Sequence, residues 1–193
     1  MASPELEKTF LTFREQCIWL QTCYNTQIAL FESGEKTTEV LSSAAPLFFQ
    51  DLNVILVEYC LLQVCRLTDP PQSSGNDNLT VKHINLLLQA EGLLTSEISV
   101  AAAGLARYRS IINDVRNWII LHADKRTLVD GLPIGKHSEA DVSAFFDNLY
   151  RYVDSVGIAI GVGPLDFRTT SGAGDALDLV RKLTPASASL ARK

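Results

Sequence analysis

Apolar residues recur at steps of three and four along most of this chain, and no stretch between turn residues alternates with a period of two. Steps of three and four match the turn of an α-helix, about 3.6 residues, whereas a half-buried strand requires alternation. The clearest case lies at residues 4–31, where the spacing predicts one long helix with Pro4 in its first turn. Its apolar positions are Phe10, Phe13, Cys17, Leu20, Tyr24, Ile28 and Phe31. The pattern therefore predicts an all-α fold.

The same periodicity predicts a helical bundle of four long helices plus one or two short ones. Within the second long helix, Pro46 either introduces a kink or marks the true start, because proline lacks a backbone donor. Asn78 or Thr80 is expected to cap the short helix, and Ser138 to cap the last long one. After the first helix, the others are predicted at residues 38–66, at 80–90, from 96 to 122 or 125, and from 138 onward.

The composition changes after residue 157. The segments GIAIGVGP and TTSGAGD are rich in glycine and irregular, and DALDLVRKL is expected to form one short helix. We therefore predict a bundle over residues 1–157 and a glycine-rich, partly irregular C-terminal extension over residues 158–193.

The most apolar window, LNVILVEYCLLQVCRL at residues 52–67, is apolar on nearly every side of a helix and is expected at the centre of the bundle. Asn53, Glu58 and Gln63 make it too polar to span a bilayer, so no membrane is expected as a partner. The chain starts without a basic segment followed by an apolar run, which indicates a cytoplasmic protein. Its net charge of −5 argues against a protein coated by nucleic acid but allows a small basic cleft.

The four cysteines form no CxxC pair, and each falls within an apolar helical pattern. Free cysteine in such a place behaves as a small hydrophobic residue. We therefore expect structural thiols in a reducing cytoplasm and no metal site.

The stretch VRNWIILHADKR, at residues 115–126, places polar residues within an apolar helical pattern. On an ideal helix Arg109, Asn113 and Arg116 form one polar line, whereas His122 falls on the apolar face. Arg116 and His122 are then about 120° apart and do not meet unless the helix ends nearby or a second copy takes part. The residues alone leave two interpretations open, a core histidine or a site.

Arg116-Asn117-x4-His122 resembles the R-x4-6-H motif of the HEPN superfamily. The segments CRLTDP, NLT and VRN…LHADK resemble the abortive-infection branch of that superfamily, and the resemblance extends over residues 5–156. It implies an all-helical bundle in which two such motifs come together across a dimer. Many members are metal-independent ribonucleases that act as toxins or in defence against phage.

The resemblance implies catalytic roles for Arg116, Asn117 and His122 in an endoribonuclease without metal or cofactor. Histidine titrates near neutral pH and can act as base or acid, and the planar guanidinium suits a phosphate whose negative charge grows. The asparagine is expected to hold the histidine tautomer or the phosphate. Expected partners are RNA, a second copy of the chain, and an antitoxin or regulatory protein.

A basic collar around Arg116 is expected to bind the RNA backbone, and its members are Arg107, Arg109, Lys125 and Arg126, of which the last three are the predicted substrate-binding residues. The alternative is a set of solvated helix charges. Arg66 and Asp69 in RLTDP brace the motif-bearing helix in one interpretation; in the other, which the sequence favours, Asp69 begins the turn before Pro70.

Two other functions remain open. The chain is either a catalytically silent helical module for dimerisation or interaction, or a nucleotide-binding regulator that holds a ligand near Arg116 without cutting it.

Overall fold

The computed structural model describes residues 2–73, 75–113, 138–169 and 172–184. These residues contain seven helices and one short antiparallel hairpin, so the prediction of an all-α fold is confirmed. The hairpin pairs β1 (Gln72–Ser73) with β2 (Asn76–Asp77). The helices are α1 (Pro4–Phe31), α2 (Glu35–Ala44), α3 (Pro46–Thr68), α4 (Val81–Ala90), α5 (Ser96–Ile111), α6 (Glu139–Ile160) and α7 (Ala176–Leu183).

Local side-chain chemistry sets the helix ends much as the sequence predicts. Thr80 caps α4, its side-chain oxygen accepting a hydrogen bond from the backbone N–H of His83 at 3.2 Å. Ser138 starts α6 with a reciprocal capping box in which Asp141 bonds back to the Ser138 backbone. Gly161 ends α6 in the left-handed conformation, with φ at 84°, which favours glycine.

Pro46 marks the start of a separate helix, the second of the two alternatives. Ala45 has an extended backbone, with φ at −162°, and ends α2. Proline has no N–H to continue the helical hydrogen bonds, but it is well suited to a first turn. The long helix predicted at residues 38–66 is therefore two helices.

The helix predicted from residue 96 to 122 or 125 is interrupted early. α5 ends at Ile111, and Ile112 departs from helical geometry with φ at −91° and ψ at 8°. The predicted helix is therefore interrupted at Ile112, although Arg109 and Asn113 still lie side by side and share a hydrogen bond of 3.0 Å, as their predicted polar line requires. Residues 114–137, which include Arg116 of that line, lie outside the described part of the chain.

The chain divides into two compact units. The first comprises Met1–Gln21 and Leu61–Arg168, and the second comprises Thr22–Cys60 and Thr169–Lys193. The domain boundary predicted after residue 157 stays a prediction, and the short helix predicted in the tail is confirmed by α7.

The core of the first unit lies between the start of α1 and helices α4, α5 and α6. Phe13 meets Tyr152 edge to face, with ring centroids 6.0 Å apart, and Tyr108 packs on Phe145 at 5.0 Å. The Tyr152 hydroxyl is buried, 3.1 Å from the Val81 carbonyl oxygen and 2.8 Å from Asn85 Oδ1, so it can donate to either. The largest fully buried side chains are Leu6, Phe10, Phe13, Leu20, Ile84, Leu88, Ile98, Leu105, Ile112, Phe145, Leu149 and Tyr152.

Two glycines in this unit sit where a methyl group would collide. A Cβ on Gly157 in α6 would lie 2.5 Å from the backbone oxygen of Gly163, which follows that helix. A Cβ on Gly104 in α5 would lie 2.5 Å from the side chain of Asn148 in α6. The first obstacle is backbone, whereas the second is the end of a side chain that can rotate.

The second unit has a smaller core, in which residues from distant parts of the sequence meet. Leu30, Leu41 and Phe49 are buried together. The partly buried side chains packed against them are Phe31, Ala45, Leu52, Ala176, Val180 and Leu183, the last three from α7.

α3 is more exposed than predicted. The expectation that residues 52–67 lie at the centre of the bundle is wrong for residues 52–62, which are exposed or partly buried, whereas Gln63, Val64, Cys65 and Leu67 are buried. Five of its apolar side chains are between 41% and 74% exposed: Leu47, Phe48, Val54, Ile55 and Val57. Among the described residues it is the one helix long and apolar enough to cross a membrane by length and composition, yet only 17% of its most apolar window is buried. An apolar composition favours the burial of a helix, but burial also requires side chains from other elements to pack against it.

Candidate functional site

The residues that the sequence predicts to be catalytic, Arg116, Asn117 and His122, lie outside the described residues, as do Lys125 and Arg126. The structure does describe the approach to them along the chain, because α5 leads directly toward the motif. Its last turn carries Arg109, the remaining predicted substrate-binding residue.

Arg109 joins α5 to the turn that follows α3. Its Nη2 donates to Asp69 Oδ1 at 3.3 Å, an ion pair between residues 40 positions apart in sequence. Its Nη1 donates to Asn113 Oδ1 at 3.0 Å, so the same guanidinium also holds the residue just before position 114. One side chain thus ties the RLTDP segment to the chain that enters the motif.

Burial strengthens this bridge. The side chains of Arg109 and Asp69 are only 16% and 24% exposed, and screening by water is correspondingly weak. Arg109 Nε is buried and has no hydrogen-bond partner among the described residues. The contacts of Nη1 and Nη2 must therefore offset the cost of burying the positive charge. The sequence favoured Asp69 as a turn residue, but this ion pair supports the other alternative, in which Asp69 braces the helix that precedes the motif.

A cavity of about 340 Å³ opens beside the bridge. Lys82, in the first turn of α4, brings a second cation to it, and Ser110 and Asn113 bring polar groups. Lys82 and Arg109 are the cations in the cavity wall and Asp69 is the anion, so these three side chains together carry one net positive charge. The full lining is Thr68, Asp69, Pro70, Lys82, Ala106, Arg109, Ser110 and Asn113.

Sequence reasoning missed Lys82 as a site residue. Its only sequence signal is its place just after the Thr80 cap, where a lysine usually points to solvent. Its proximity to Arg109 depends on how α4 and α5 pack, which periodicity does not specify.

The two upstream segments that resemble the abortive-infection branch meet in the hairpin. The side-chain nitrogen of Asn78 donates to the Pro70 carbonyl and to Ser73 Oγ, both at 2.9 Å. The Asn78 backbone N–H donates to the Pro71 carbonyl at 2.7 Å. RLTDP and NLT therefore form one folded turn, and this turn positions Asp69 for its contact with Arg109.

None of the four cysteines forms a disulfide, and three of them are buried. Burial raises the pKa of the Cys17 and Cys23 thiols above the ordinary value. For Cys60, burial and the neighbouring Cys23 raise the pKa to about 12. Since the thiolate is the reactive form, these side chains are poor nucleophiles at neutral pH. Within residues 2–73, 75–113, 138–169 and 172–184, no group of three or more His, Cys, Asp or Glu side chains is placed to hold a metal ion.

The chain matches a known protein family. The family model HEPN_AbiU2, described as AbiU2, matches residues 3–179, which is most of the chain and includes the R-x4-6-H segment. Neither a curated protein nor a solved structure matches the chain.

Proposed function

The chain belongs to the AbiU2 family of HEPN proteins, and on that premise we propose that it is a metal-independent ribonuclease with a role in abortive infection or as a toxin. The observation that carries the proposal is the family match, because it extends across the segment containing Arg116, Asn117 and His122. The proposed setting is the cytoplasm. The proposed partners are RNA, a second copy of the chain and an antitoxin or regulatory protein.

The proposed reaction is attack of an RNA 2′-hydroxyl on the adjacent phosphorus. The new bond joins the 2′-oxygen to phosphorus, and the bond from phosphorus to the 5′-oxygen breaks. One His122 takes the proton from the 2′-hydroxyl, and the His122 of a second copy gives a proton to the leaving oxygen. Arg116 stabilises the charge that builds up on the phosphate, and Asn117 orients the histidine or the phosphate. DNA is not a substrate, because it lacks the attacking hydroxyl.

The bridge at Arg109 supports this proposal from outside the motif. It fixes the end of the helix that leads to Arg116, and a site that stabilises a transition state depends on such positioning. Arg109 itself, a proposed substrate-binding residue with Lys125 and Arg126, already makes two protein contacts. We add Lys82 to the proposed RNA-binding residues, since it is exposed and lines the same cavity.

The test is RNA cleavage in the presence of a chelator by the wild type, Arg116→Ala and His122→Ala. His137→Ala and Arg181→Ala are matched controls, because they remove the same residue types outside the motif and outside the predicted basic collar; Arg181 lies in α7 with a side chain that is 72% exposed. We expect cleavage, with products ending in a cyclic phosphate, by the wild type and both controls. Both motif variants should be inactive while remaining folded by circular dichroism. Equal cleavage by all five proteins would refute the assignment.

A second candidate function is a catalytically silent interaction module, and the exposed apolar side chains of α3 favour it. In that case His122 is a core residue. The wild type then does not cleave RNA, and His122→Ala only lowers the free energy of unfolding. A third candidate, a nucleotide-binding regulator, is favoured by the cavity beside Lys82 and Arg109. It predicts a melting temperature that rises with nucleotide concentration.

A further inference from the structure

A second cavity, distinct from the one beside Lys82 and Arg109, lies against the hairpin. Its volume is about 400 Å³, which is in the range of small-molecule sites. All of the residues that line it belong to the first unit. We call it the hairpin cavity, and its polar lining includes Gln16, Gln63, Arg66, Asp69, Asp77 and Asn78.

Gln63 of α3 is a buried polar side chain in the wall of this cavity. It is only 7% exposed, yet its amide makes no hydrogen bond within the described residues. The completely enclosed polar atoms that lack a partner there belong to Arg14, Asn53, Arg109 and Asp154. Gln63 is not among these residues, so both of its polar atoms are in contact with the cavity. Its donor and its acceptor are therefore available to a molecule that enters.

The charges in the wall favour a neutral ligand. Arg66 is exposed and forms no ion pair within the described residues. Asp77 accepts a hydrogen bond from the side chain of Gln72 at 2.9 Å, and Asp69 is already paired with Arg109. One cation and two anions thus line the cavity, and a phosphate held there would face a net repulsion.

The side chains of the wall are of the kinds that proteins use to recognise nucleobases. A glutamine amide forms two parallel hydrogen bonds with the edge of a base, and an aspartate accepts from a base amino group. A guanidinium stacks on the face of a base that has left its own stack. Leu67 and Leu79 add apolar contact. An amide at the inner wall requires a base that is inserted and unpaired.

The position of the hairpin cavity fits a nucleic acid strand. Asp69 lines both this cavity and the cavity beside Lys82 and Arg109. The wall of the latter carries one net positive charge and suits a phosphate. A strand can therefore place a base on one side of Asp69 and a backbone phosphate on the other.

We propose that the hairpin cavity holds one unpaired base of the RNA and that Gln63 recognises the edge of that base. The inference rests on the proposed function for the choice of RNA, and it deepens that function by naming the form in which the substrate is recognised.

The test is fluorescence anisotropy with short single-stranded 2′-O-methyl oligonucleotides that contain only adenine, cytosine or uracil. These probes are not cleaved, because the attacking hydroxyl is blocked. We expect the wild type to bind one of them at least about fivefold more tightly than the other two, a difference of about 1 kcal/mol. The duplex of the adenine and uracil probes should bind more weakly than the preferred single strand. Gln63→Met keeps the length of the side chain without its donor and acceptor, and it should bind all three probes alike.

Gln27→Met is the matched control. Gln27 is also buried, at 9% exposure, but its side-chain nitrogen donates to Glu32 Oε1 at 3.1 Å, and it does not line the cavity. This variant should keep the base preference and lower the midpoint of urea unfolding. Gln63→Met should not lower that midpoint, because it breaks no hydrogen bond within the described residues.

A second variant does not alter a buried side chain. Arg66→Gln should weaken binding of the preferred probe at least about fivefold. Arg151→Gln is its control, since Arg151 is an exposed arginine of α6 that does not line the cavity. If Gln63→Met does not fold, unchanged binding by Arg66→Gln would overturn the proposal.

Other outcomes also decide it. Displacement of the preferred probe by the free nucleoside of the same base, but not by the other nucleosides or inorganic phosphate, would support recognition of the base itself. Equal binding of the three probes by the wild type, or a wild-type preference in folded Gln63→Met, would overturn the proposal. If Gln63→Met loses the preference and the wild type cleaves no RNA, only the proposed function is refuted.

Discussion

Replacing Asp69 by asparagine tests whether the bridge to Arg109 holds the entry to the motif. The substitution keeps the shape of the side chain and removes its charge, which leaves a mostly buried guanidinium with a weaker partner. Breaking a fully buried ion pair costs about 3–5 kcal/mol, whereas an exposed pair is worth about 0–1 kcal/mol. With the two side chains 16% and 24% exposed, we expect Asp69→Asn to lower the free energy of unfolding by about 1–2 kcal/mol.

The assay is a double-mutant cycle with Asp69→Asn, Arg109→Met and the combined variant, each unfolded in urea. Arg109→Met keeps the apolar stem and removes the guanidinium, so the cycle isolates the contact between the two charges. We expect the double variant to be more stable than additivity predicts by about 1 kcal/mol. A loss of 1 kcal/mol corresponds to a decrease of roughly 2–4 °C in melting temperature for a domain of this size.

The chain contains a suitable control pair. Arg168 and Asp147 approach within 3.9 Å, but their side chains are 51% and 58% exposed. The same cycle on this pair should give a coupling below about 0.5 kcal/mol. If the Asp69–Arg109 coupling were no larger than that of the control pair, the bridge would not stabilise the approach to the motif, and Arg109 would be free to act as an ordinary RNA-binding cation.

Three further predictions follow from residues described above. Gly157→Ala should lower the free energy of unfolding in urea by about 2–3 kcal/mol, because the new methyl group meets backbone. Gly104→Ala should leave that free energy unchanged or raise it by up to about 1 kcal/mol, because only a side chain must move. Equal losses in the two variants would contradict this reasoning. Above pH 9 the Cys60 thiol ionises in the unfolded chain but stays neutral in the folded one up to about pH 12. The free energy of unfolding of the wild type should therefore fall more steeply with pH than that of Cys60→Ala, by up to about 1.4 kcal/mol per pH unit, and parallel curves would show that folding does not raise the pKa of Cys60. Tyr152→Phe should lower the free energy of unfolding by about 1–2 kcal/mol, because it removes a buried hydrogen-bond donor. An unchanged midpoint of urea unfolding would argue against the hydrogen bond made by the Tyr152 hydroxyl.

The sequence predicts those parts of the fold that are controlled by neighbouring residues. The bounds of α1, the Thr80 and Ser138 caps and the short helix in the tail all follow from periodicity and capping, which act within a few positions. Pro46 was recognised as a break point, although its two possible effects could not be separated without knowing the backbone of Ala45.

The parts that could not be predicted depend on packing between distant residues. α3 is apolar enough for a core, but its exposure is decided by how few side chains in the second unit reach it. At the candidate site, the partnership of Asp69 with Arg109 and the approach of Lys82 to the same cavity require the arrangement of α3, α4 and α5. The motif itself was found by resemblance, and its residues lie outside the described part of the chain.

The core of the second unit also has a consequence for synthesis on the ribosome. Leu30, Leu41 and Phe49 leave the ribosome long before Val180 and Leu183 of α7, which pack against them. At roughly 5–20 residues per second, the nascent chain waits on the order of ten seconds for the residues that complete this core. Throughout that interval α2 and the start of α3 lack the helix that packs against them, so this unit reaches its final packing only after α7 has been synthesised.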